Sequence, residues 1–148
     1  MLASSDVEWT YDDGEVIFAE GEETSEMFVI QAGAVRVTKR VGDREIELAT
    51  LQRGDFFGEM SLLESLPRHA TCTAVGRTMV LVIRSGELLM KIRRDPTFAF
   101  EMLQRMSRRI RQLNDGIVSV LQDDRLSADG LRSVALLSEY GPPSSERR

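Results

Sequence analysis

Glycines at positions 14, 21, 33, 42 and 54 recur every 7 to 12 residues through the first half of the chain. The runs between them are apolar but short, and several of these glycines are followed at once by an acidic residue. Turn signals at that interval predict an antiparallel sandwich or barrel. The clearest local case is a hairpin. Val35, Val37, Lys39 and Val41 alternate on one face of a strand, Gly42-Asp43 follows, and Ile46 and Leu48 alternate on the return. Glycine first in a two-residue loop suits a type II′ turn. Residues 1–13 show no period, with Trp9 and Tyr11 as the expected anchors.

After Arg84 the period becomes helical. Ser85 is placed to cap a short helix carrying Leu88, Leu89 and Ile92. Asp95-Pro96 restarts the chain, since aspartate caps helices well and proline is favoured at the first helical position. A long helix is predicted from Pro96 to about Gln122. Its apolar residues Leu103, Met106, Ile110, Leu113, Ile117 and Val120 are spaced 3, 4, 3, 4, 3, the seam of a parallel helix pair. A helix lying on its own barrel is the competing reading. Gly116 interrupts the seam, at about 1 kcal/mol against alanine. Arg105, Arg108, Arg109 and Arg111 make the helix basic, either as a solvated face or as a surface for an acidic partner. Residues 123–148 are expected to hold at most one more short helix, about Ser127 to Glu139, and then to fray. The expected organisation is a segment 1–13, a domain 14–122 (barrel 14–84, helices 85–122) and an extension 123–148.

Composition excludes several classes of function. One cysteine, Cys72, permits no disulfide framework, and one histidine, His69, cannot make a multi-histidine metal site. A small barrel enzyme of the cupin type gathers two or more histidines around its metal, so no enzyme is expected. A net charge of −5 argues against an opportunistic nucleic-acid binder. The longest apolar run, Met79 to Ile83, is strand-sized, and a cytoplasmic protein without membrane contact is expected. Cys72, between Thr71 and Thr73, is expected to be a core thiol.

The chemistry lies in 54–74, GDFFGEMSLLESLPRHATCTA. Gly58 lets the backbone approach another group closely and opens one helical turn, whose free amides and dipole favour an anion. Arg68, ten positions on, is placed to fold back over the same point, and an arginine fork beside helix-start amides describes a phosphate site. Glu59 is an acceptor suited to a sugar hydroxyl. Phosphate and ribose within one turn of chain describe a compact nucleotide.

This stretch resembles the phosphate-binding cassette of the cyclic nucleotide-binding domain family, which includes catabolite activator-type regulators and protein kinase A regulatory subunits. The resemblance runs over roughly residues 14–121 and takes in the glycine-punctuated strands, the Phe-Gly-Glu and Pro-Arg-His-Ala-Thr runs and the long helix. It implies a mainly β fold: an antiparallel, jelly-roll-like β-roll with a short helix and a long C-terminal helix. It further implies that Glu59 accepts from the ribose 2′-hydroxyl, that Arg68 pairs with the cyclic phosphate, and that the amides of Ser61 and His69 add hydrogen bonds. The ligand-binding set is then Gly58, Glu59, Met60, Ser61, Arg68, His69 and Ala70, with Leu113 and Asn114 matching the base-facing position of the long helix. His69 replaces a residue often small in the family and is expected to contribute its backbone alone. Members selective for the guanine nucleotide often carry threonine there, so cyclic AMP is expected, with cyclic GMP the alternative. No metal or other cofactor is implied.

The resemblance implies a sensor that couples nucleotide binding to movement of its C-terminal helices. The competing reading is an oligomerisation or docking module with an empty pocket. A homodimer through 96–122 and an unidentified effector protein are the expected partners. DNA-binding relatives carry a helix-turn-helix module after the long helix. Only 26 residues follow Gln122 here, so direct DNA binding is not expected unless the chain is a piece of a longer protein.

Overall fold

The structure, a computed structural model, describes residues 7–122. They form six strands and three helices, in the order β1 (Val7–Tyr11), β2 (Val16–Phe18), β3 (Met27–Val41), β4 (Arg44–Gln52), β5 (Phe56–Phe57), α1 (Glu59–Glu64), β6 (Thr71–Ile83), α2 (Leu88–Arg94) and α3 (Pro96–Gln122). The expected mainly β, antiparallel architecture with C-terminal helices is what is found. The chain divides into two compact units, one ending at Ala99 and the other beginning at Phe100.

Every strand pairing in the first unit is antiparallel, in the order β1-β6-β3-β4, with β2 also on β6 and β5 also on β3. Two strands are longer than the glycine spacing predicts. β3 spans 15 residues and β6 spans 13, because irregularities rather than turns break them. The β3–β6 register slips between Ile30 and Ala32 and again between Ala32 and Ala34. Gly33 sits at the second slip with φ 82°, and a Cβ there would lie 2.5 Å from the Arg77 carbonyl oxygen. The buried Thr78 hydroxyl donates across the slip to the Ala34 carbonyl at 3.0 Å. Gly33 therefore marks a bulge inside a strand, as glycine in a strand often does.

The predicted hairpin is present. Val41 pairs with Arg44 across the two-residue loop Gly42-Asp43. Gly42 has φ 62°, while Asp43 is outside the left-handed region, which is the type II′ pattern. The return strand departs from simple alternation: the register slips so that Leu48 faces no partner between Glu47 and Ala49, and Ile46, Leu48 and Val41 are exposed. Residues 7–11, without period in the sequence, form β1 on the edge of β6. The expected anchors hold there, with the Trp9 ring 6.3 Å from Phe28 and Tyr11 packed against the core.

Phe18, Phe28, Ile30, Val35, Phe57, Cys72, Val80 and Val82 form that core, and Cys72 is the buried thiol the sequence predicts. Three phenylalanine rings from β2, β3 and β5 meet at centroid distances of 5.0 to 5.9 Å. Each fully buried ring contributes about 1.5–3 kcal/mol, and together they fix where β5 ends and α1 begins.

α2 starts two residues later than a Ser85 cap requires. Its N-cap is Glu87, whose carboxylate accepts from the Arg84 amide at 3.3 Å, so residues 85–87 form a turn. α3 runs from Pro96 to Gln122, the predicted span. The Phe98 amide donates to the Asp95 carboxylate at 3.4 Å, the expected cap. Lys91 lies 5.1 Å from the Phe98 ring. The short helix expected near 127–139 lies outside the described residues.

Candidate functional site

β5 delivers the chain to Gly58, which caps α1 in the left-handed conformation (φ 80°, ψ 5°). No side chain caps this helix. A Cβ at Gly58 would meet Arg68 Nη1 and the Glu26 carbonyl oxygen, each at 2.8 Å, and Phe18 at 3.4 Å. Conformation and close approach therefore both demand glycine. α1 is six residues long and ends at Ser65, itself left-handed with φ 56°, whose amide returns to the Ser61 carbonyl at 3.1 Å. The chain then turns back through Pro67 to Arg68.

Arg68 does fold back on Gly58, as the spacing predicts, but it is not an open fork. Its side chain is 1% exposed. Nε donates to Thr24 Oγ1 at 2.9 Å, Nη1 to the Gly58 carbonyl at 3.1 Å and Nη2 to the Glu26 carbonyl at 2.8 Å. Glu26 Oε2 lies 3.5 Å from Nη2. The guanidinium also lies 4.0 Å from the centroid of Phe18 and 5.9 Å from that of Phe28. Burying a cation is costly unless its donors are matched. Here two carbonyls, a hydroxyl, a carboxylate and two ring faces supply the match. Desolvation lowers the Arg68 pKa, and the carboxylates of Glu26, Glu22 and Glu59 oppose that shift. A guanidinium stays protonated in either case.

The remaining cassette residues stand close by along the chain. Glu59 and Met60 are half-buried in the first turn of α1, Ser61 is buried, His69 is exposed, and Ala70 is buried. The His69 ring retains open surface, yet desolvation by its surroundings lowers its pKa. Glu59 and Glu20 raise it, and Lys39 and Arg68 lower it further. Leu113 and Asn114 lie in the second unit, exposed on α3.

Sequence reasoning missed Thr24, Glu26, Lys39 and Glu20. Thr24 and Glu26 come from 44 and 42 residues upstream of Arg68 and meet it only through the strand topology. Lys39 did leave a signal, as the one charge on a valine face.

Residues 8–95 match the family described as "Cyclic nucleotide-binding domain". The chain belongs to that family. A cyclic AMP receptor protein of Thermus thermophilus is 35% identical over 103 residues, covering 69% of this chain and 48% of the relative. A cAMP-dependent protein kinase regulatory subunit of Mycosarcoma maydis is 43% identical over 68 residues, covering 46% of this chain and 13% of the relative. The crystal structure of the Thermus thermophilus catabolite activator protein superposes with a TM-score of 0.67 at 32% identity, over 79% of this chain and 55% of that one. The cyclic nucleotide-binding domain described here thus spans about half the length of the receptor. Among the described residues no helix is long and apolar enough to cross a membrane.

Proposed function

We propose that this cyclic nucleotide-binding domain is a non-enzymatic cytoplasmic sensor of cyclic AMP. The observation that carries the reading is the Arg68–Gly58 contact: a buried guanidinium held 3.1 Å from the carbonyl that opens α1. A cyclic phosphate placed at the start of α1 meets the amides of Ser61 and His69 and the Nη1 proton that the Gly58 contact does not use. Glu59 and Met60 line the same turn, where the Glu59 carboxylate accepts from the ribose 2′-hydroxyl. Gly58 and Ala70 bring their backbone close, and by resemblance alone Leu113 and Asn114 of α3 are the base-facing pair. Asparagine both donates and accepts, as an adenine edge requires. Similarity to relatives named for cyclic AMP supports the choice of nucleotide.

In this reading the ligand shifts an equilibrium between arrangements of α2 and α3, by no more than its differential affinity for them. The output passes to an effector protein, with α3 pairing between two copies of the chain.

The test is calorimetric titration of cyclic AMP and cyclic GMP into the wild type, Arg68→Ala and Arg68→Lys. Removing a charge partner from a buried site costs about 2–5 kcal/mol of binding. The lysine variant retains the charge and loses the fork. Saturable binding that is lost in both variants supports the assignment, and affinity unchanged in Arg68→Lys sinks it.

One observation favours the docking-module reading instead: the protein itself takes up most of the Arg68 donors. On that reading neither nucleotide gives heat or a shift in melting temperature.

A further inference from the structure

Lys39 is the one charged residue on the valine face of β3, and its ammonium is spent on the cassette. Nζ donates to the His69 carbonyl at 2.6 Å and to Glu20 Oε1 at 2.8 Å. Glu20 is held in turn: its second oxygen accepts from the Arg40 amide at 3.2 Å, and its own amide donates to Thr71 Oγ1 at 2.9 Å. The hydrogen bond from Lys39, followed by that from Arg40, keeps the Glu20 carboxyl below its ordinary pKa. The preceding peptide is also held, because the Arg68 carbonyl accepts from the Gly21 amide at 2.7 Å. The carbonyls of two successive peptides, 68–69 and 69–70, are therefore fixed from outside the cassette.

No peptide among the described residues is cis. In a trans peptide the N–H points opposite to the C=O. Fixing the Arg68 carbonyl on Gly21 aims the His69 N–H away from Gly21. Fixing the His69 carbonyl on Lys39 likewise aims the Ala70 N–H away from the ammonium. A half-exposed Lys–Glu pair contributes little to stability, so stability does not account for this arrangement.

We propose that Lys39, oriented by Glu20, is a positioning residue for the nucleotide phosphate, fixing the 69–70 peptide so that the Ala70 N–H, next to the His69 N–H that the Gly21 contact aims, is presented to the anion. Lys39 also masks the Glu20 carboxylate, which would otherwise repel a phosphate. This inference rests on the reading that the cassette holds a cyclic nucleotide.

The test compares Lys39→Met, Lys39→Arg and Glu20→Gln with the wild type. The readouts are titration of cyclic AMP and cyclic GMP, the melting temperature, and the Ala70 amide resonance in 15N-alanine-labelled protein. Loss of one charge-assisted hydrogen bond predicts affinity weaker by about tenfold or more in Lys39→Met, with Tm within about 3 °C of wild type. Lys39→Arg restores the affinity, and Glu20→Gln weakens it less than Lys39→Met does. The Ala70 resonance moves in the methionine variant and returns in the arginine variant.

Affinity unchanged in Lys39→Met, an unmoved Ala70 resonance, or a loss that arginine does not rescue each overturns the role of Lys39. A wild-type chain that binds neither nucleotide overturns the sensor reading, and this inference with it.

Discussion

Arg68 and Gly58 occupy one another's space, and that fact sets what substitution does at either position. Gly58→Ala adds a Cβ 2.8 Å from Nη1 at a φ of 80°. Left-handed strain and displacement of the guanidinium together predict a loss of about 2–4 kcal/mol in urea denaturation. Arg68→Ala orphans the Gly58 and Glu26 carbonyls, and a loss of similar size, about 2–4 kcal/mol, is expected. His69 gives a pH dependence at the same scale. Burial lowers its folded pKa, so the unfolded chain takes up the proton first. Stability should therefore fall as pH drops below about 6.5, the ordinary histidine value, until the folded pKa is passed. Melting curves should show that slope in the wild type and a flatter one in His69→Gln. The sequence made the return of Arg68 onto Gly58 legible, because both lie on one short excursion of chain. It did not reveal that Thr24, Glu26 and Phe18 enclose the guanidinium, since those contacts exist only once β2 and β3 have each paired with β6.

Among the elements, α3 was the most legible, because a 3.6-residue period and an Asp-Pro start are local signals. The strands were less so. β1 is a five-residue edge strand with exposed residues on both faces, so no alternation marks it. The lengths of β3 and β6 escaped the glycine rule because Gly33 and Gly76 act within strands rather than between them. On α3 the seam residues Leu103 and Leu113 are 63% and 65% exposed. If α3 pairs between two copies, Leu103→Glu with Ile110→Glu should yield a monomer in sedimentation while the wild type sediments as a dimer. An unchanged sedimentation coefficient removes the pairing. Gly116 has nothing within 4 Å of an added Cβ. Gly116→Ala should accordingly stabilise the helix by about 0.5–1 kcal/mol.

For the molecule as a whole, an acidic chain with a net charge of −5 must collect an anionic ligand against its own field. On the proposed reading the buried Arg68, the backbone amides and Lys39 supply the local exception, and salt should weaken that local attraction less than it weakens exposed pairs. Ligand at a hundred times its dissociation constant stabilises a folded binder by about 2.7 kcal/mol. A saturating nucleotide should raise Tm by several degrees, and the rank of cyclic AMP against cyclic GMP can be read from that shift.

The bulge at Gly33 divides β3 into two stretches that should open to solvent at different rates. Residues 27–30 pair between β6 and β5 under the phenylalanine cluster, where amide protons should exchange only through global unfolding. Residues 39–41, which pair with β4 and not with β6, lie beside the Gly42-Asp43 tip and should exchange by local opening. Lys39 lies in this second stretch. Nucleotide should therefore slow deuterium uptake at 39–41 while that at 27–30 keeps pace with overall stability, making the hairpin a reporter of occupancy far along the chain from the cassette.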